Sequence, residues 1–126
     1  MRRIVLYWLP PLVWAAVIFG ISSISNLQIE EIKSWDMVLR KIAHMLEYAV
    51  LVVLFIRLGV DKQKADWKIY LISLIGVLLY AITDEWHQTY VLRRFGSITD
   101  VLIDTSGGIM GAVFYYKFTK KRIDIE

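Results

Sequence analysis

Apolar residues gather into four runs along this chain, at 4–21, 42–60, 69–84 and about 98–118, and polar residues gather between them. The first three runs are close to pure, and each is about the length a helix needs to cross a hydrocarbon core about 30 Å thick. The second is interrupted by His44, Glu47 and Arg57, and the fourth carries Asp100 and Asp104 and closes on Lys120, Lys121 and Arg122. The pattern predicts an all-α protein, a four-helix transmembrane bundle. Pro10 and Pro11 lie inside the first run and remove two backbone donors, so a kink or short break is expected there. That run is of spanning length, ends on bulky Phe19 and Ile21 and is followed by no small-x-small cleavage pattern, so it reads as a retained helix and not a signal peptide. From Ser22 to Leu39, apolar Ile29, Ile32, Trp35, Val38 and Leu39 recur at helical spacing among charges. A short amphipathic segment lying on the membrane surface is expected between helices 1 and 2.

Composition agrees with this pattern. In 126 residues, 57% are hydrophobic, and the mean hydropathy is +0.51. That is more apolar side chain than a soluble domain of this size can bury. The net charge of +3 comes with no basic stripe interleaved with aromatics, so nucleic acid is not an expected partner. There are no cysteines, which excludes disulfides and thiolate metal sites. Ten of the Lys and Arg residues fall on the side of the bundle holding the two chain ends and five on the other. By the positive-inside rule both termini are then cytoplasmic in a multi-pass protein, and helix 2 starts, helix 3 ends and helix 4 starts on the outer side.

The charged residues concentrate in two stretches, Arg40–Tyr48 and Ala81–Gly111. At a rise of about 1.5 Å per residue, Glu47 and Asp104 each lie roughly 8 to 10 Å below the outer edge of the hydrocarbon, where an unpaired charge is costly. Spacing supplies partners on shared faces: Lys41 with His44, His44 with Glu47, Asp84 with Gln88, and Asp100 with Asp104. The two stretches are therefore expected to converge. Ser97 with Asp100 also reads as a capping box opening helix 4, with Asp in place of the usual Glu or Gln. Gly107 and Gly111 give the small-xxx-small spacing that lets another helix approach closely.

Taken in order, Lys41, His44 and Tyr48, then Asp84, Glu85 and Gln88, Arg94, then Gly96, Ser97 and Asp100, Asp104 and Gly108 resemble the VanZ-like family of small membrane proteins, named for a teicoplanin-resistance determinant. The Ser22-Ser23 pair after helix 1 fits the same pattern, so the resemblance covers essentially the whole of 1–126 as a single VanZ-like domain. It departs at Arg40, where the family usually has an acid, at Leu92-Arg93, where Pro-Gly is common, and at Asp104, where Asn is common. The resemblance implies a bacterial cell-membrane protein linked to reduced susceptibility to lipid-tailed glycopeptide antibiotics.

Three readings of the polar residues stand side by side. In the first they form an outward-facing pocket for membrane lipid or a lipid-linked envelope precursor, with Lys41, Tyr48, Gln88, Arg94, Ser97 and Asp100 as binding residues. Arginine suits this because its planar fork donates paired hydrogen bonds to phosphate. The second is an enzyme acting on a phosphate or glycosyl ester, with His44 as base beside Glu47 and with Asp84, Glu85 or Asp104 as acid, nucleophile or ligand of a divalent cation such as Mg²⁺ or Mn²⁺. The third is an ion network that only ties the helices together. Four helices enclose little volume, which leaves a homodimer open.

Overall fold

In the computed structural model, which describes residues 2–24, 33–60, 65–92 and 94–123, four helices make up nearly all of the described chain and no strand occurs among those residues. They are α1 (Arg2–Ser22), α2 (Lys33–Gly59), α3 (Trp67–Gln88) and α4 (Ile98–Ile123). Stretches of α1, α2 and α3 are long and apolar enough to cross a membrane. The described part of α4, with its acids at one end and lysines at the other, does not reach that level.

Three boundaries differ from those expected. α1 stays helical through Pro10 and Pro11, because proline's fixed φ is itself a helical value and the intact bonds on either side hold the turn. α2 begins at Lys33 and not near Ile42, so its first turns replace part of the expected surface segment. The i,i+4 pair of Asp36 with Arg40, at 3.0 Å, supports the helix over this charged stretch, and Trp35, Val38 and Leu39 remain exposed along it. The rest of that segment, with Ile29 and Ile32, lies outside the described residues. α3 runs on to Gln88, because Asp84, Glu85 and Gln88 are buried with hydrogen-bond partners and so do not end it.

Packing follows from small residues. A side chain at Gly107 would collide with the backbone of Met45, and one at Gly111 with that of Ala49, so α4 lies backbone to backbone on α2. The two run parallel, as Lys41 opposite Asp100 and Ala49 opposite Gly111 show. α3 runs against both, with Val77 filling the space at Gly108 and Phe55 that at Gly76. Tyr48, Leu51, Val52, Ile56, Val77, Ala81 and Ala112 form the core, to which α1 contributes Ile18. α1 lies along α2 and α3, its Trp14 Nε1 donating to the Glu47 carbonyl at 2.9 Å and its Ala15 carbonyl accepting from the Tyr80 hydroxyl. This arrangement brings the C-terminal ends of α1 and α3 and the N-terminal parts of α2 and α4 to one end of the bundle.

Candidate functional site

The site at that end is built around Asp84, which is 2% exposed on α3. Its Oδ2 accepts from the Ser22 hydroxyl at 2.8 Å, the Tyr48 hydroxyl at 3.2 Å and the Gln88 side-chain amide at 3.3 Å. Three donors from three helices thus fix the carboxylate, while Oδ1 is buried with no hydrogen-bond partner among the described residues. Tyr48 is fully buried and Gln88 nearly so, which leaves them no other use for their polar atoms there.

Beside it, His44 on α2 places Nδ1 at 3.7 Å from Glu47 Oε2 and 3.8 Å from Asp104 Oδ1. Both separations are too long for hydrogen bonds. His44 Nδ1, Glu47 Oε2 and Asp104 Oδ2 are buried without partners, as Asp84 Oδ1 is. Asp104 comes this close to α2 because Gly107 and Gly111, one and two turns further along, remove the side chains that would hold the helices apart.

Around this centre the remaining residues take distinct places. Glu85 accepts the Ser97 backbone N–H at 2.9 Å, while the Ser97 hydroxyl accepts the Thr99 N–H at 3.2 Å as the N-cap of α4. The expected capping box is therefore completed by Glu85 from α3, not by Asp100. Gly96 permits this, since a side chain there would strike the Glu85 carbonyl. Asp100 instead pairs with Lys41 at 3.3 Å, a half-exposed ion pair joining α4 to α2. Arg94, in the loop between α3 and α4, keeps Nε buried with no hydrogen-bond partner among the described residues. Burial lowers its pKa from the ordinary guanidinium value, Arg40 adds to this, and Asp84, Glu85 and Asp100 oppose it. The group remains charged at neutral pH.

The two polar stretches thus meet as their spacing predicted, with His44, Glu47, Tyr48, Asp84, Gln88 and Asp104 at the centre and Lys41, Glu85, Arg94, Ser97 and Asp100 around it. Arg93 lies outside the described residues. The reading of the residues by spacing did not find the part played by α1. Ser22 is fully buried on Asp84, and Trp14 closes the side of α2 behind Glu47. A polar residue directly ending an apolar run was the available signal for Ser22. His87 sits on α3, stacked on Phe19 at 4.1 Å with Nε2 at 3.0 Å from the Ser23 hydroxyl.

A family model for VanZ/LLP1 matches residues 3–120. The chain belongs to the VanZ/LLP1 family. Comparison with curated proteins and with solved structures gives no match. As a VanZ/LLP1 protein with membrane-spanning helices it is a membrane protein, and the matched residues include the whole polar end of the bundle.

Proposed function

We propose that the polar end of this VanZ/LLP1 protein binds the phosphate-bearing headgroup of a lipid-linked envelope component at the outer side of a bacterial cell membrane, and so lowers susceptibility to teicoplanin-type lipoglycopeptides. The observation that carries the reading is the Arg94 Nε, a donor buried beside the polar cluster without a hydrogen-bond partner among the described residues. A network serving only to join helices would satisfy this donor with a neighbouring carboxylate, since a buried group left bare costs about 1 to 3 kcal/mol. Arg94 supplies the cation suited to phosphate, and half-exposed Lys41 supplies a second from α2. On either side of Arg94, Leu92 and Phe95 are 76% and 89% exposed, which suits a loop whose apolar residues enter the lipid interface while its arginine turns inward. In this reading α4 crosses the membrane with the other three helices and both termini are cytoplasmic. Single cysteines placed at Thr99 and Thr119 of the naturally cysteine-free chain test that topology, the first expected to react with impermeant maleimide from outside and the second from inside.

The lipid reading is tested by native mass spectrometry of the gently solubilised protein. Wild type should retain an anionic lipid that Arg94→Ala loses while keeping its thermal transition. Equal retention by the two counts against the reading. One observation favours a second reading, a hydrolase or transferase in the same place: His44 Nδ1 lies between the carboxylates of Glu47 and Asp104, the arrangement of a general base with orienting acids. Turnover of a lipid phosphate or glycosyl ester that survives Glu47→Gln with Asp104→Asn would remove this alternative.

A further inference from the structure

His44 from α2, Asp84 from α3 and Asp104 from α4 each present one donor atom within 4.8 Å of the others. The two aspartates are each 2% exposed. Each also holds one carboxylate oxygen that is buried and has no hydrogen-bond partner among the described residues, Oδ1 of Asp84 and Oδ2 of Asp104. His44 Nδ1 is in the same condition, and so is Glu47 Oε2, 3.7 Å from it. Among the described residues no Lys or Arg forms an ion pair with Glu47, Asp84 or Asp104. Lys41 is engaged with Asp100 at 3.3 Å, and the Arg94 Nε makes no hydrogen bond to any of the carboxylates. Buried carboxylate oxygens left without a hydrogen bond or a close counterion are costly, and a cation bound among them removes that deficit.

We propose that His44, Asp84 and Asp104 bind one divalent metal ion of the Mn²⁺ or Zn²⁺ type. The donor set selects this class: one imidazole with carboxylates and no thiolate suits Mn²⁺ or Zn²⁺, whereas Mg²⁺ prefers oxygen alone and gives up its water reluctantly. Donors about 2.0 to 2.2 Å from a tetrahedral ion lie about 3.3 to 3.6 Å apart, so the present separations, which reach up to 4.8 Å, close by about 1 Å through side-chain rotation. Asp84 is already oriented for the role. Ser22, Tyr48 and Gln88 all donate to its Oδ2 and leave Oδ1 free, the outer-shell arrangement that fixes a carboxylate ligand. Because each ligand comes from a different helix, the ion would also fasten α2, α3 and α4 at this end.

The inference is independent of the lipid reading, since the ion can be measured on protein stripped of lipid and Arg94 is not one of its ligands. The test is titration of chelator-stripped full-length protein with Mn²⁺, read by the electron paramagnetic resonance of free ion, and with Zn²⁺, read by elemental analysis after gel filtration. About one ion per chain is expected, together with a higher thermal transition in the loaded protein. Asp104→Asn and Asp84→Asn should weaken binding by tenfold or more, and Ser22→Ala, which leaves every ligand in place, by roughly tenfold through the orientation of Asp84. Asp36→Asn, which removes a carboxylate from α2 far from the cluster, should bind as wild type does. Should the aspartate variants fail to fold, Ser22→Ala and His44→Gln carry the test. A wild type that takes up neither ion overturns the inference, and so does a folded set of Asp104, His44 and Ser22 variants that binds with unchanged affinity.

Discussion

The two ends of this bundle are made by the same helices and solve opposite problems. Toward the end that joins α2 to α3, the helices meet through apolar contacts: Ile69 fills the space at Gly59, Phe55 that at Gly76, and Tyr70 lies edge-on to Tyr116. At the other end, packing just as close brings together His44, Glu47, Asp84 and Asp104, and with Arg94 these hold every buried side-chain polar atom that lacks a partner among the described residues. Natural proteins leave few such groups, because each forfeits its hydration and regains nothing. One end of the bundle is finished by folding, and the other, in the proposed readings, is completed by a bound group.

The sharpest way to break this contrast is through the glycines, which serve both ends. A valine at Gly107 would overlap the Met45 backbone, which cannot rotate away as a side chain can, so α4 must shift off α2. Gly107→Val is expected to cost about 3 kcal/mol, seen as a lower transition in tryptophan-detected thermal unfolding in detergent. Since the same shift parts Asp104 from His44, ligand or metal retention should be lost with it. A folded variant of wild-type stability would mean that the helices are not held at this separation.

The next largest effect separates the ends. Asp84→Ala removes the acceptor shared by Ser22, Tyr48 and Gln88 and leaves three buried donors bare, at an expected cost of about 2 to 4 kcal/mol. Val77→Ala, in the apolar core beside Gly108, should cost about 1 to 2 kcal/mol for its lost burial and cavity. The two are told apart by function as much as by stability. The first should abolish binding at the polar end and the second leave it intact, measured on both variants at a temperature where each is folded.

What could be read in advance followed the same division. Helix number, helix order and the close approach at Gly107 and Gly111 were legible because hydropathy and small-residue spacing are local patterns. The convergence of Arg40–Tyr48 with Ala81–Gly111 was legible because charge deep in an apolar run requires partners, and helical spacing shows which residues share a face. Partners from distant helices were not. Nothing local tells that Ser97's backbone N–H is taken by Glu85, which freed Asp100 to pair with Lys41, or that Ser22 reaches Asp84 across 62 positions of chain. The ends of α2 and α3 were placed too far inward for a related reason. A polar residue reads as the end of an apolar helix unless its buried partner is known, and for Glu85 that partner is the Ser97 backbone N–H at the start of α4.

The smallest effect sharpens the comparison most, because it sets stability and binding against each other within one pair. Lys41 and Asp100 approach to 3.3 Å with both side chains partly in contact with solvent, at 41% and 34% exposure. A pair so placed is screened and contributes only about 0.5 kcal/mol. Lys41→Gln should therefore lower the thermal transition barely, and raising the salt concentration should remove even that difference. Its effect on an anionic headgroup should be larger, because in the proposed reading Lys41 and Arg94 are the two cations that meet the phosphate among these carboxylates. Loss of the cation is expected to reduce lipid retention several-fold while leaving Mn²⁺ or Zn²⁺ uptake unchanged, both measured on the same purified sample. Undiminished lipid retention would confine the headgroup to Arg94, and a parallel fall in metal uptake would mean that Lys41 acts by holding α4 in register through Asp100 and not by meeting the ligand itself.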